Sequence, residues 1–430
     1  MLTATQILAD LLRIDTVNPP GNEMAAALYL KKLFDEAGIA NEILEPEKDR
    51  ASFFARLGSG GGPRKLLFLS HTDVVPVGEG WDFDPFGAEI SNGRIYGRGA
   101  RDCKSLVAAG AHAMLKLAAE GVKLNGELVF AATADEERAG ILGVKHILKH
   151  APEKLEADFA INEGGEEPVK VNGRLLNFLQ VGEKGTAWSR LKATGRSCHG
   201  SIPTLGDNAV LKMARALEVL SRYQPQIQLI PEVRHLLQEV SRLLEWDLPL
   251  EEQNVDQLLE RIGEKSFSET LRSMTRMTVS PNTIKGGNKT NVVPDYCQTD
   301  VDIRILPGQD KDYVLGELQK MLGDELEIVM PNYHPSTFST SDSDHYRLVE
   351  ETTLEVAGKD TIFLPHLSPW ATDSRFLREA GIPAYGLGLM DRDVDPTGRT
   401  TIHGKNEYID LASLNLRADF LYLLARKYLV

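Results

Sequence analysis

The sequence predicts an α/β domain interrupted by an inserted domain with a strand and helix pattern of its own. Three observations predict it. Strand and helix patterns alternate over residues 65–162, as they do in sheets with helical crossovers. Near Val181 the texture changes to period-two strand patterns and a long charged helical stretch, and an α/β segment resumes after about Pro335. The chain's 430 residues also exceed one ordinary core, given about 150 residues per domain.

The elements follow in order. A helix is expected from about Thr5, where Leu8, Leu11 and Leu12 recur at helical spacing, up to the turn Asn18-Pro19-Pro20-Gly21-Asn22. A second helix covers 24–34. Gly58-Ser59-Gly60-Gly61-Gly62-Pro63 superficially suggests a phosphate cradle, but an apolar strand follows it instead of a helix, so it reads as a loop. Strand 65–70, helix 105–120, strand 127–133, helix 140–150 and strand 157–162 then alternate. In the inserted part come a strand through Trp188, a helix from Ala209, a charged helical stretch over 231–276, and strands 297–306 and 326–330 around a helix near 314–322. The resumed part adds a helix over 346–356, a strand near Ile362, a helix near Arg375, the apolar strand 384–389 and a terminal helix from Leu411. The expected organisation is 1–181 as the first part of the main domain, 182–335 as the insertion and 336–430 as the second part.

Composition narrows the function. With 42% hydrophobic and 26% charged residues the chain has enough apolar surface to offset its entropy. Acidic residues outnumber basic ones, 62 to 48, and the formal charge of -14 argues against a nonspecific grip on nucleic acid. The scattered Cys103, Cys198 and Cys297 form no disulfide framework, which fits a reducing, cytoplasmic setting. The N-terminal stretch lacks a basic n-region, so no signal peptide is expected. No apolar run reaches the roughly 18 residues of a membrane span.

The chemistry stands where open α/β sheets place their sites, at the C-terminal ends of strands. The first strand runs into His71-Thr72-Asp73, the second into Asp135-Glu136-Glu137 and the third into Glu163-Gly164-Gly165. The glycine-punctuated loop through Gly97-Arg98-Gly99 brings Asp102 to the mouth of a helix. Alone, His-x-Asp reads as a surface pair and Glu136-Glu137 as a solvated helix start. Together, acidic residues ending successive buried strands would repel one another unless a cation neutralised them, and imidazole with carboxylate suits zinc or a similar borderline ion. Asp102, Glu137, Glu163 and the spare Glu136 exceed what one divalent ion needs. A dinuclear centre about 3.5–4 Å across, sharing one carboxylate, accounts for them. The second imidazole it wants is His403, in Thr401-Ile402-His403-Gly404.

Ser70-His71-Thr72-Asp73, Trp81 with Asp84-Pro85-Phe86, the loop 93–104, Asp135-Glu136-Glu137, Asn162-Glu163-Gly164, Cys198-His199-Gly200-Ser201-Ile202-Pro203, Gly286-Gly287, Asn291-Val292-Val293-Pro294 and His403-Gly404 run the length of the chain. In these motifs it resembles the M20 family of metallopeptidases and deacylases, the group of aminoacylase-1, carboxypeptidase G2, acetylornithine deacetylase and succinyl-diaminopimelate desuccinylase. The resemblance implies a zinc-peptidase-like catalytic domain, a mixed sheet flanked by helices, with an inserted α+β lid and dimerisation domain. It implies two Zn2+ per subunit, with Co2+ or Mn2+ as substitutes. Asp102 becomes the bridging carboxylate, His71 and Glu163 the other ligands of one ion, and Glu137 and His403 those of the second. Glu136 becomes the general base, Asp73 the acceptor of the other ring N–H of His71, and Asp102-Cys103 a cis peptide. His199 is implied as an oxyanion donor reaching the partner subunit of a homodimer, Asn291 as a substrate contact, and Arg375 as the clamp on a substrate carboxylate. Cys103 and Ser105 depart from the usual family residues in a way that bears on local packing but touches no ligand, and Gly200 replaces the commoner alanine after His199.

The expectation is therefore a zinc-dependent hydrolase of small N-acyl amino acids, with a carboxypeptidase or dipeptidase as the alternative. From other classes, a noncatalytic metal-binding relative would have little use for an intact Glu136. A nucleotide-binding enzyme is disfavoured because Gly97-Arg98-Gly99 lacks a third glycine and runs into Asp102, which would repel a pyrophosphate.

Overall fold

The computed structural model describes residues 1–58 and 62–430, so the centre of the glycine-rich loop expected at 58–63 lies outside the described residues. The chain forms two compact units, Met1–Gly182 with Phe338–Val430, and Glu183–Thr337.

The first unit is built on a mixed sheet. Its strands lie in the order Ala40–Glu47, Arg50–Gly58, Gly126–Thr133, Arg64–His71, Phe159–Asn162, Ala384–Leu387 and Arg174–Glu183. The middle four are parallel, with His71 opposite Thr133, Phe68 opposite Ile161 and Tyr385 opposite Ile161 from the other side. Arg50–Gly58 and Arg174–Glu183 run antiparallel to them, and Ala40–Glu47 pairs antiparallel with Arg50–Gly58. These central strands read as continuous apolar runs because both faces are covered. Leu66, Phe68, Leu128 and Phe130 pack with the helices Ala4–Leu12, Glu23–Glu36, Lys104–Ala119 and Leu411–Leu429. Their alternating neighbours Leu67, Leu69, Val129 and Ala131 pack with Val144–His150 and Ser374–Glu379 on the opposite face.

Topology places the site. The crossover through Lys104–Ala119 leads from the His71 strand to its neighbour on one side, and the crossover through Val144–His150 returns to its neighbour on the other. Strand order thus reverses beside the His71 strand, and the C-terminal end of a strand at such a switch point is where open α/β sheets place their sites.

The helix expected over 140–150 begins only at Val144. Gly140 is left-handed at φ 63°, and the Asp135 carboxylate accepts the Leu142 N–H at 3.0 Å, so that segment forms a turn over the site.

The second unit carries a four-stranded antiparallel sheet in the order Thr278–Gly286, Tyr296–Ile305, Gly185–Thr194 and Glu327–His334. Cys297, Val301, Ile303 and Ile305 alternate inward against Met213, Leu220, Val314 and Leu318 of the helices Ala209–Ser221 and Lys311–Leu322. The charged stretch expected over 231–276 resolves into three helices, Pro231–Leu243, Val255–Glu260 and Lys265–Met274. Lys184, buried on the sheet, donates to the carbonyls of Ser273 and Arg276, both at 2.8 Å, and so fastens the end of the last of these. Among the described residues no helix is long and apolar enough to cross a membrane.

Candidate metal centre

Five side chains converge beyond the parallel strands. His71 Nε2 lies 3.1 Å from Asp102 Oδ1 and 3.3 Å from Glu163 Oε1. His403 Nε2 lies 3.0 Å from Asp102 Oδ2 and 3.3 Å from Glu137 Oε2. Two ligand clusters therefore share Asp102, one oxygen facing each. The Asp102–Cys103 peptide is cis, as the resemblance implied.

The hydrogen bonding of His71 tests whether cations fit. Its Nδ1 sits 2.9 Å from the carbonyl oxygen of Asp73, which can only accept, so Nδ1 carries the hydrogen. Nε2 faces two carboxylate oxygens: with no cation there it keeps a proton, because against the cost of burial the neighbouring Glu163 and Asp102 hold the ring well above its ordinary range, and a bound cation would take that proton's place. Glu137 Oε1 is buried with no hydrogen-bond partner among the described residues, so it is a further acceptor that a cation would satisfy. Nitrogen and oxygen donors in two clusters with a shared carboxylate suit a pair of divalent ions.

Electrostatics agree. Burial, together with Asp102 and Glu137, pushes Glu163 up to about 7. Burial and the Glu163 charge hold Glu136 well above the usual carboxylate range, and burial raises Glu137. The bonds to Asp102 and Glu137 lift His403 up to about 10. Without cations the centre holds protons in their place.

The surrounding shell is a buried charge network. The Asp73 carboxylate accepts Asn18 Nδ2 at 2.9 Å and is 3.5 Å from His71 Nδ1, so the expected acceptor of that ring N–H is the residue's own carbonyl, the closer of the two. Asn18 also donates to Asp135 at 3.0 Å, and Arg50 joins Asp135 at 2.7 Å to Glu23 at 2.8 Å. On the other side, Arg98 pairs with the buried Glu407 at 2.7 Å. Sequence reading gave none of Asn18, Arg50, Glu23, Arg98 or Glu407 a role. Arg98 stood inside a quoted loop and Asn18 inside a quoted turn, and for the others the available signal was a charged residue in a segment otherwise destined for burial.

Of the remaining expected residues, Glu136 begins the short 3-10 turn Glu136–Arg138 after the left-handed Asp135, and its carboxylate has no hydrogen bond among the described residues. Arg375 lies with its guanidinium carbon 4.5 Å from the centre of the Phe376 ring, and its buried Nε lacks a hydrogen-bond partner among the described residues. His199 and Asn291 lie in the second unit, brought side by side and exposed, where Cys198–His199 pairs with Val292–Val293 and Gly200 N–H donates to the Asn291 carbonyl at 2.8 Å. Ser201 N–H donates to His199 Nδ1 at 3.1 Å, so in the neutral ring the hydrogen sits on Nε2, which becomes an outward donor.

Such a centre on an α/β unit is the working part of a metal-dependent hydrolase. The family model described as Peptidase family M20/M25/M40 matches residues 67–427, and the chain belongs to that family, whose members are hydrolases acting on amide bonds. It is 29% identical over 437 residues to succinyl-diaminopimelate desuccinylase of Parvibaculum lavamentivorans, covering 98% of this chain and 94% of that one. Among solved structures it resembles an M20 family metallo-carboxypeptidase from Sulfolobus solfataricus (TM-score 0.71, 22% identity, 99% and 100% of the two chains). It also resembles a Bacillus subtilis protein described as a dinuclear metal binding peptidase from the M20 family (TM-score 0.60, 14% identity, 98% and 96% of the two chains).

Proposed function

We propose that the protein is a dinuclear zinc hydrolase that cleaves the amide bond of a small N-acyl amino acid next to a free carboxylate. The observation that carries this is the shared Asp102, whose two oxygens face His71 and His403 at 3.1 and 3.0 Å. His71, Asp102 and Glu163 would hold one ion and Asp102, Glu137 and His403 the other. Divalent cations there supply Lewis acidity, acidifying water and polarising the scissile carbonyl. Glu136, free of partners and held in its protonatable range by burial, takes a proton from the attacking water as the oxygen bonds to the carbonyl carbon. It passes that proton to the leaving nitrogen as the C–N bond breaks, giving a carboxylate and an amine. Arg375, whose buried Nε has no hydrogen-bond partner among the described residues, would hold the substrate carboxylate, and His199 Nε2–H with Asn291 would offer donors to the developing oxyanion.

Two further readings complete this proposal. The chain is read as a homodimer in which His199 and Asn291, exposed on the second unit, would serve a partner's site. Its three free cysteines suit the cytoplasm. The desuccinylase relative, matched along nearly its whole length, favours a deacylase over a peptidase. Hydrolysis of a panel that varies acyl group and amino acid independently, run with zinc, cobalt and manganese, tests this. Turnover of dipeptides with inert acyl amino acids would overturn the deacylase reading in favour of a dipeptidase.

A further inference from the structure

Glu407 is fully buried, and every hydrogen bond its carboxylate accepts comes from the loop that delivers Asp102. One oxygen accepts the backbone N–H of Arg101 at 2.8 Å and of Asp102 at 3.0 Å. The other accepts the N–H of Gly99 at 2.9 Å and Arg98 Nη1 at 2.7 Å. Arg98 then turns its Nη2 to the carbonyl of Gly404 at 2.7 Å, across 306 residues of sequence. Gly404 directly follows His403. One ion pair therefore ties the backbone before Asp102 to the backbone after His403.

We infer that Arg98 and Glu407 are positioning residues that set one cation site selectively, the one between Asp102, Glu137 and His403. This rests on the dinuclear reading above. The selectivity follows from how the two ligand sets are carried. His71 and Glu163 end adjacent parallel strands, so the sheet ladder spaces them whatever the loops do. Asp102, which both sites share, and His403 come from loops, so the site with His403 carries two loop-borne ligands and the site with His71 only one. The short ladder between Tyr408–Asp410 and Arg94–Tyr96 reaches only as far as Gly97 N–H on the Glu407 carbonyl at 2.9 Å. Beyond that point the Glu407 side chain and Arg98 take over. Gly99, left-handed at φ 87° and with no room for a Cβ against Val74, lets the loop wrap tightly around the carboxylate. His403, whose side chain is 52% exposed, has little packing of its own to hold it, whereas that of His71 is 1% exposed. Ligand positions must hold to about 0.2 Å, so loss of the clamp falls first on the loop-borne site.

The test is calorimetric titration of chelator-stripped protein with zinc chloride, with thermal melting of the same samples. The wild type should bind two ions. Glu407→Gln and Arg98→Lys should bind one ion within about threefold of the wild-type affinity and the other ten- to a hundredfold more weakly, the range typical of residues behind metal ligands. Arg98→Lys keeps the charge near Glu407 and carries the test if Glu407→Gln does not fold. Arg56→Met breaks the Arg56–Glu127 pair on the sheet and should lower the melting temperature with both affinities intact. Equal weakening of both sites, two unchanged sites, or the same split in Arg56→Met would overturn the inference. A wild-type chain that binds a single zinc would overturn the dinuclear reading and the inference with it, an outcome separate from failure of the clamp alone.

Discussion

Asp73 accepts the backbone N–H of Glu136 at 3.1 Å through one carboxylate oxygen, and through the other that of Glu137 at 3.2 Å. Asp73 leaves the strand that ends at His71, and the two glutamates leave the parallel strand beside it. The bond pair thus locks the residue that would move the proton and a residue that would hold a cation onto the rigid end of the sheet. Burial disfavours the Asp73 charge, but His71, Asn18 and these N–H groups hold it below the usual carboxylate range. An ionised carboxylate is a stronger acceptor than a neutral one, so the charge itself helps fix the turn.

Glu136→Gln should fold, bind zinc with wild-type stoichiometry, and lose turnover by about 10²–10⁴-fold, the usual worth of a positioned general base. The amide keeps the shape but cannot take the proton. Metal analysis beside steady-state kinetics checks this. Near-normal kcat in a fully loaded sample would sink the assignment.

Asp73→Asn should behave differently. Its amide nitrogen would face a backbone N–H, leaving a buried donor unsatisfied at about 1–3 kcal/mol. The melting temperature should fall, and zinc affinity with it, because the orientation of both His71 and Glu137 depends on this residue. Unchanged melting and zinc affinity would show that the two N–H bonds contribute little.

How much of this was legible beforehand differs from element to element. The His71, Thr133 and Asn162 strands were readable because doubly buried parallel strands are unbroken apolar runs, and their polar ends stood out by contrast. The late start at Val144 was not, since it depends on Asp135 capturing Leu142 N–H, a bond between residues that read equally well as helix. The ligand candidates were legible as types at strand ends. The network that aims them was not, because Arg50 with Glu23 and Arg98 with Glu407 pair across 27 and 309 residues and leave no periodicity behind.

Metal removal should make stability fall with rising pH. In the stripped protein Glu163 is raised from 4.5 to about 7, mainly by burial, so the folded state binds more protons than the unfolded chain between those values. His403 is raised from 6.5 to about 10 by Asp102 and Glu137, so its contribution is present below about 6.5 and is lost as pH climbs towards 10. Both run in the same direction. Zinc binding replaces these protons, so the gap in melting temperature between loaded and stripped protein should widen from pH 5 to pH 9. A constant gap, or zinc uptake without proton release, would contradict the protonation states drawn here.

Arg375→Lys should raise KM for carboxylate-bearing substrates about ten- to a hundredfold, in line with 1.5–3 kcal/mol for hydrogen bonds to a charged group, and should leave a substrate lacking the carboxylate unaffected. A lysine keeps the charge but loses the two parallel N–H bonds of the guanidinium. Equal effects on both substrates would remove Arg375 from that role.

His199→Ala and Glu136→Gln should each be nearly inactive, yet mixing them should restore activity. His199 belongs to the second unit, with Nδ1 occupied by Ser201 N–H and Nε2–H directed outward, whereas Glu136 belongs to the first. If each site takes its oxyanion donor from the partner, a mixed dimer contains one site with an intact Glu136 and a partner's intact His199, alongside one site lacking both. Random exchange gives about half mixed dimers, each with one working site of two, so activity should recover to about a quarter of wild type. If His199 instead served its own chain, every site in the mixture would carry one of the two lesions and no activity would return. Subunit exchange followed by size-exclusion chromatography and assay separates the two outcomes.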